Sequence, residues 1–393
     1  MRALWCRPAN RHEMKHRLYT PGPTSVPPET LLELARPIIH HRTPEFKAAF
    51  AEVQEGLKLV FQTTNDVYVI TGSGTSAFEA GLLTCVAPGK KVLNINNGKF
   101  GERWGQQCKK FGIDVNDLQL EYGTHITPES MAIELDKAQY DAVIVTHSET
   151  STATACDMGG VAKVIREKQP NALIIVDGIT AIGALPFHMD QWDVDVAVTG
   201  SQKALMLPPG LGFVSLSDRA WKAADANKGQ TPFYLDLRKY KKSAADSDTP
   251  FTPANTLIHA LAVSLKMIKD EGMEGVWKRT RAHAEAVREG MKAMGLTLFS
   301  QLPADSVTAI NYPDGVDDKF RSVMKKNFGM NVAAGQAHMK GKLFRVNHMG
   351  YTDVFEAIAV VSATEMALGE LGVKVEPGVG VAAAQKALVK ALA

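Results

Sequence analysis

Residues 172–205, ALIIVDGITAIGALPFHMDQWDVDVAVTGSQKAL, decide the architecture. Two short apolar runs in it, Ala172–Asp177 and Val194–Thr199, are rich in β-branched residues and give way to glycine or polar residues, so both read as strands. Outward from them the pattern recurs at Asp66–Thr71 (DVYVIT), Lys91–Ile95 (KVLNI) and Ala142–Thr146 (AVIVT). Helix-like segments at Ser76–Cys85, Gly105–Phe111 and Gly160–Lys168 lie between these strands and are long enough to be crossover connections. Such alternation predicts an α/β domain whose mainly parallel sheet is covered by helices. Leu211–Leu216 (LGFVSL) adds one further strand.

The 393 residues are too many for one compact core, which predicts two domains. The expected organisation is an N-terminal arm (1–18), a large domain (19–255) and a smaller C-terminal α+β domain (256–393). The smaller unit would hold helices at Leu257–Glu271, Gly275–Met294 and Asp353–Leu371, strands at Ser306–Asn311 and Leu343–Asn347, and an alanine-rich terminal helix at Ala382–Ala393. Lys239–Asp248 is polar and reads as an exposed loop.

Lys and Arg number 44 against 42 Asp and Glu, a formal charge of +2, so no global field is available to hold nucleic acid or an anionic membrane. Small molecules are the expected partners. The basic start, MRALWCRPANRHEMKHR, lacks the apolar core of a secretory signal, and Met14 is a candidate start. No apolar run is long enough to span a membrane. Cys6, Cys85, Cys108 and Cys156 form no CxxC pair, which points to a reducing, cytoplasmic setting.

The loop Thr71-Gly72-Ser73-Gly74-Thr75-Ser76-Ala77 follows a strand and opens a helix, where backbone amides converge on an anion. Gly72, Gly74 and Ala77 formally satisfy the dinucleotide pattern GxGxxG/A. That reading fares poorly, because the next strand (KVLNIN) carries Asn94 and Asn96 where an acid would grip a ribose. Three hydroxyls, Ser73, Thr75 and Ser76, suit a terminal phosphate ester instead; a tight turn with no ligand is the plain alternative. Asp177 ends its strand at the edge where open α/β sheets place ligands, and Lys203 follows the next strand at the same edge. An amine for a Schiff base, a carboxylate for a pyridinium nitrogen and donors for a phosphate are what pyridoxal phosphate requires.

Residues 18 to about 370 resemble a fold-type I, class V aminotransferase of the alanine/serine-glyoxylate (serine-pyruvate) family. The resemblance rests on six motifs in order: TPGPTSVPP (20–28), GSGTSAFEA (72–80), NGKFGERW (97–104), VDGITAIGALP (176–186), GSQKALMLPPG (200–210) and FRVNHMG (344–350). It implies a large mainly parallel-sheet domain with a smaller C-terminal domain. It further implies that Lys203 forms the Schiff base and moves the substrate proton, with its pKa lowered by desolvation. Ser73, Gly74, Thr75 and Gln202 would hold the cofactor phosphate, the threonine position being variable in the family. Phe100 stands where relatives stack a tryptophan on the pyridine ring. Thr150 would bond the ring hydroxyl and Asp177 the ring nitrogen. Arg345 would hold the substrate α-carboxylate through a bidentate contact, and Gly22 would also bind substrate. Thr252 resembles a residue that reaches the phosphate of a neighbouring subunit, which implies a homodimer with shared active sites.

His40, His41 and Arg42 in HHRTPEF lack a carboxylate or cysteine at ligand spacing, so no metal is expected. Arg42 either faces the mouth of the site or anchors its loop. A cysteine desulfurase needs a cysteine after the lysine, and none follows Lys203. Lyase, decarboxylase and kynureninase-like hydrolase chemistry share the same cofactor physics, and a non-catalytic subunit could keep the fold. The motifs favour a ping-pong aminotransferase taking alanine or serine as donor and glyoxylate or pyruvate as acceptor. Aspartate, or 2-aminoethylphosphonate, is the alternative that Arg42 would serve.

Overall fold

The computed structural model describes residues 15–227 and 232–392. Cys6, Met14, most of the expected N-terminal arm and Ala393 lie outside the described residues.

The large sheet has seven strands in the order Val67–Thr71, Leu211–Leu216, Val196–Gly200, Leu173–Asp177, Ala142–Thr146, Lys91–Asn96, Asp114–Gln119. All run parallel except Leu211–Leu216, which is antiparallel to both neighbours. The central strands are apolar on both faces because each face is covered. Val69, Ile95, Val145, Ile174 and Val176 face one core, built with Phe50, Val53 and Leu57 of the helix Pro44–Phe61 and with Leu261 and Leu265 of Asn255–Glu271. Ile70, Val92, Ile144, Ile175 and Val198 face the other core, with Phe78 and Leu82 of Gly74–Cys85, Trp104 of Lys99–Lys110 and Trp221 of Asp218–Ala226. Alternate residues of one strand thus enter opposite cores, as the period of two requires.

The second sheet runs Arg17–Tyr19, Met330–Ala334, Leu343–Asn347, Val307–Asn311. Its first strand comes from the N-terminus and pairs parallel to Met330–Ala334. Residues 17 and 18, expected in a separate arm, are therefore part of the C-terminal sheet. Phe344, Val346 and Ile310 pack against the helices Met273–Ala293, Val354–Glu370 and Val379–Leu392, while Val307, Ala309 and Leu343 pack toward Ala181, Leu185 and Ala204 of the large domain.

A further expectation is overturned. Leu237–Ala244, which covers the first part of the stretch Lys239–Asp248 read as an exposed loop, is a helix. Leu237 and Tyr240, three apart on one face, are buried against the large domain's core, and Asp236 caps the N-terminus by accepting from Arg238 N. Two buried side chains outweigh a polar composition.

Candidate active site

Thr71, Asn96, Thr146, Asp177 and Gly200 are the last residues of their strands, and the chain that follows each brings a site residue to the same edge of the sheet. Ser73 and Thr75 are exposed at the start of the helix Gly74–Cys85, and Ser73 N donates to Ser76 Oγ at 3.1 Å. Gly200 lies beside this turn: a β-carbon there would sit 3.5 Å from Gly74 N and 3.2 Å from Gln202 Oε1. The Gln202 side-chain oxygen is buried without a hydrogen-bond partner among the described residues. An amide flip puts the donor end at the same place, so Gln202 and the helix N-terminus form a cradle suited to an anion.

Lys203 is only 8% exposed, and its ammonium donates to Pro21 O at 2.6 Å, with no carboxylate within ion-pair distance among the described residues. Burial, reinforced by the Arg345 charge, lowers its pKa to about 8. The segment TPGPTSVPP wraps this lysine: Thr24 Oγ1 donates to Lys203 O at 2.9 Å, and a β-carbon on Gly22 would overlap Lys203 Nζ. Gly22 also has φ +149, a conformation that L side chains rarely adopt.

Asp177 is buried; its Oδ1 accepts from Ile179 N at 3.0 Å and its Oδ2 from Trp104 Nε1 at 3.2 Å. Burial raises its pKa to about 7 against the pull of those two donors. Trp104 is held by stacking on Phe78, ring centroids 4.4 Å apart. Phe100, one helical turn before Trp104, is half-buried, and the Arg103 guanidinium lies 4.7 Å over its ring. Thr150 Oγ1 is 3.0 Å from Thr180 Oγ1.

Arg345 is 4% exposed and faces carbonyls rather than acids: Nη1 donates to Thr150 O at 2.8 Å, and Nε and Nη2 to Ala334 O at 3.0 and 2.7 Å. Burial lowers its pKa to about 10. Carbonyls orient a guanidinium without neutralising it, so a buried positive charge is left for an anion.

The structure therefore packs Gly22 against Lys203 and bonds Thr150 to Arg345, and the charges of Asp177 and Arg345 both act on Lys203, with the Ser73–Thr75 turn and Gln202 adjoining. Thr252 is exposed; its segment reaches the turn through Ala254 N, which donates to Thr71 Oγ1 at 2.9 Å. Arg42 is not brought into this group. It pairs with Asp248 and donates to Thr249 O at 2.8 Å, so it anchors its own loop. Sequence reasoning missed Trp104, Thr24, Thr180 and Arg103. Trp104 was findable, because Phe100 and Trp104 are four apart and so share a helix face.

The chain matches the family Aminotransferase class-V over residues 32–351. It is 42% identical to the soluble hydrogenase 42 kDa subunit of Anabaena cylindrica, covering 95% of this chain and 98% of that one. The L-aspartate–glyoxylate aminotransferase of Paracoccus denitrificans and the serine–glyoxylate aminotransferase of Methylorubrum extorquens are each 35% identical, with 94% and 97% of this chain covered and 95% and 98% of theirs. Among solved structures, pyridoxamine-pyruvate aminotransferase from Mesorhizobium loti superposes with a TM-score of 0.91 at 28% identity, over 98% of this chain and 99% of that one. The chain thus has the fold-type I architecture, belongs to the class V aminotransferases and is a transaminase.

Proposed function

We propose that this transaminase binds pyridoxal 5'-phosphate and carries an amino group from alanine or serine to glyoxylate or pyruvate in two half-reactions. The class V family is in general pyridoxal-phosphate dependent. One observation carries the reading: a buried lysine with a pKa near 8 lies within electrostatic reach of a buried acid and a buried arginine, and neither charged partner is neutralised by an ion pair among the described residues. The residues fit the cofactor. Burial without a cation leaves Asp177 suited to a protonated ring nitrogen, and Gln202 with the Ser73–Thr75 turn is suited to the phosphate.

When bound, the cofactor supplies an electron sink for the substrate Cα–H bond. Lys203, held by Pro21 O and with a depressed pKa, is deprotonated at mildly alkaline pH and takes and returns the Cα proton through Nζ. Asp177, its carboxylate held in line by Trp104, would keep the ring nitrogen protonated. Phe100 would cover one face of the ring. Arg345 grips the substrate carboxylate, its orientation set by Thr150 O and Ala334 O. Thr252 completes the phosphate site of a second copy, so the functional unit is a homodimer.

A dicarboxylate donor is the second reading, and Arg103 is the observation that favours it. This exposed guanidinium, which has no carboxylate partner among the described residues, lies over Phe100 and could receive a distal carboxylate. Absorbance titration of the purified enzyme tests both. Bleaching of the visible chromophore by alanine or serine, reversed by glyoxylate, is expected. Bleaching by aspartate alone, lost in Arg103→Gln, would transfer the assignment to the second reading. Lys203→Ala is expected to abolish the visible band; a band that survives dialysis in this variant would overturn the lysine assignment.

A further inference from the structure

Glu149 is fully buried (0% exposed) and takes no part in the chemistry above. Every hydrogen-bond partner of its carboxylate is a donor. Oε2 accepts from Phe100 N at 3.0 Å and Gly101 N at 2.9 Å; Oε1 accepts from Ser151 N at 2.9 Å and Ser151 Oγ at 2.5 Å. Ser151 Oγ in turn accepts from Lys99 N at 2.9 Å. The first three amides of the helix Lys99–Lys110 are therefore satisfied from a loop about fifty residues away in sequence, directly or through one hydroxyl.

This helix needs such a cap because its N-cap residue is Gly98, which has no side chain to supply one. The glycine also makes room, since a β-carbon there would overlap Glu149 Cγ and Cδ. A carboxylate at a helix N-terminus is favoured by the dipole as well as by the individual bonds. Burial pushes the Glu149 carboxyl up, and the four donors counter that push.

The placement matters because of what each end of the clamp carries. Phe100 is the second residue of the helix, and Trp104, one turn later, bonds Asp177. Thr150 lies between the clamping residues Glu149 and Ser151, and its carbonyl orients Arg345. We propose that Glu149 is a positioning residue, a single carboxylate that locks the helix bearing Phe100 and Trp104 to the loop bearing Thr150 and so presets the cofactor cavity. What the cavity is preset for rests on the pyridoxal-phosphate reading; the clamp itself does not.

Two readouts separate these. Backbone amide exchange is followed by mass spectrometry on the cofactor-free dimer or monomer as purified, in wild type and Glu149→Gln, and pyridoxal phosphate affinity is then measured by quenching of protein fluorescence. Glutamine keeps the shape but turns an NH2 either toward Phe100 N and Gly101 N or toward Ser151 N and its hydroxyl, breaking half of the clamp in either case. The expected result is at least tenfold faster exchange over residues 99–101 or at 151 with the strand Ala142–Thr146 unchanged, and at least tenfold weaker cofactor binding. Unchanged exchange over both 99–101 and 151 would overturn the clamp. Faster exchange with wild-type cofactor affinity would reduce Glu149 to a helix cap and overturn its positioning role. If wild type itself takes up no pyridoxal phosphate, the cofactor reading fails and the exchange result alone judges the clamp. Should Glu149→Gln not fold, Gly98→Ala, which crowds the same carboxylate and keeps its charge, is subject to the same criteria.

Discussion

A β-carbon at Gly22 would occupy the position of the Lys203 ammonium, which makes this glycine as much a determinant of the site as the lysine. Gly22→Ala is expected to lower kcat by about a hundredfold or more, roughly 3 kcal/mol of barrier, while the melting temperature stays within a few degrees of wild type. Near-wild-type turnover would show that Lys203 has room to move aside. Arg42 leads to the opposite expectation. Its pair with Asp248 is partly exposed, so Arg42→Ala should cost at most about 1 kcal/mol of stability and should change alanine and aspartate turnover alike. A loss confined to aspartate would restore Arg42 as a substrate residue. At this scale the motifs exposed which residue types converge, but not their partners. Nothing in FRVNHMG tells whether Arg345 faces an acid or two carbonyls, because those carbonyls come from Thr150 and Ala334.

The elements that were hardest to read are those whose stability comes from elsewhere. The helix Leu237–Ala244 has a strongly polar sequence and buries only Leu237 and Tyr240, with Arg238 bonding Ala224 O and Gln54 bonding Ala244 O. The edge strand Asp114–Gln119 (DVNDLQ) has little apolar content, since it pairs with only one neighbour and none of its residues is fully buried. Central strands, buried on both faces, are continuous apolar runs and were legible for that reason. The terminal helix Val379–Leu392 shows how an alanine-rich segment is fixed by packing: Ala384 and Leu388 join the core of the small domain beside Val361 and Met291. Leu388→Ala should destabilise by about 2–3 kcal/mol, measured by denaturant unfolding. A cost below about 0.5 kcal/mol would mean that this helix docks too weakly to matter.

Across the whole molecule, folding buries an amine that would rather be charged. The folded pKa of Lys203, about 8, lies below the ordinary lysine value, so between about pH 8 and 10.5 the unfolded chain binds a proton that the folded chain does not. Stability contributed by this group therefore rises with pH across that window. Lys203→Met should raise the unfolding free energy of cofactor-free protein at or below pH 8 by about 1–3 kcal/mol, and the gain should fade toward pH 10.5. A pH-independent difference would contradict a depressed lysine. Asp177 acts in the reverse sense: its raised pKa makes the folded chain hold a proton between about pH 4 and 7, so its contribution declines as pH rises through that range. Both groups carry an electrostatic cost in the cofactor-free fold that a charged ligand at the same site would relieve.

By itself the sequence determined the α/β class and where the main strands lie along the chain, because strand burial and glycine turns are local patterns. It also determined that Lys203 and Asp177 lie on one edge, since both follow parallel strands. Only the tertiary structure decided that Arg17–Tyr19 completes the distant C-terminal sheet, that Arg42 serves Asp248, and that Glu149 joins the Phe100 helix to the Thr150 loop. Each of these depends on a pairing between residues far apart in the chain, and periodicity within a segment carries no information about such partners.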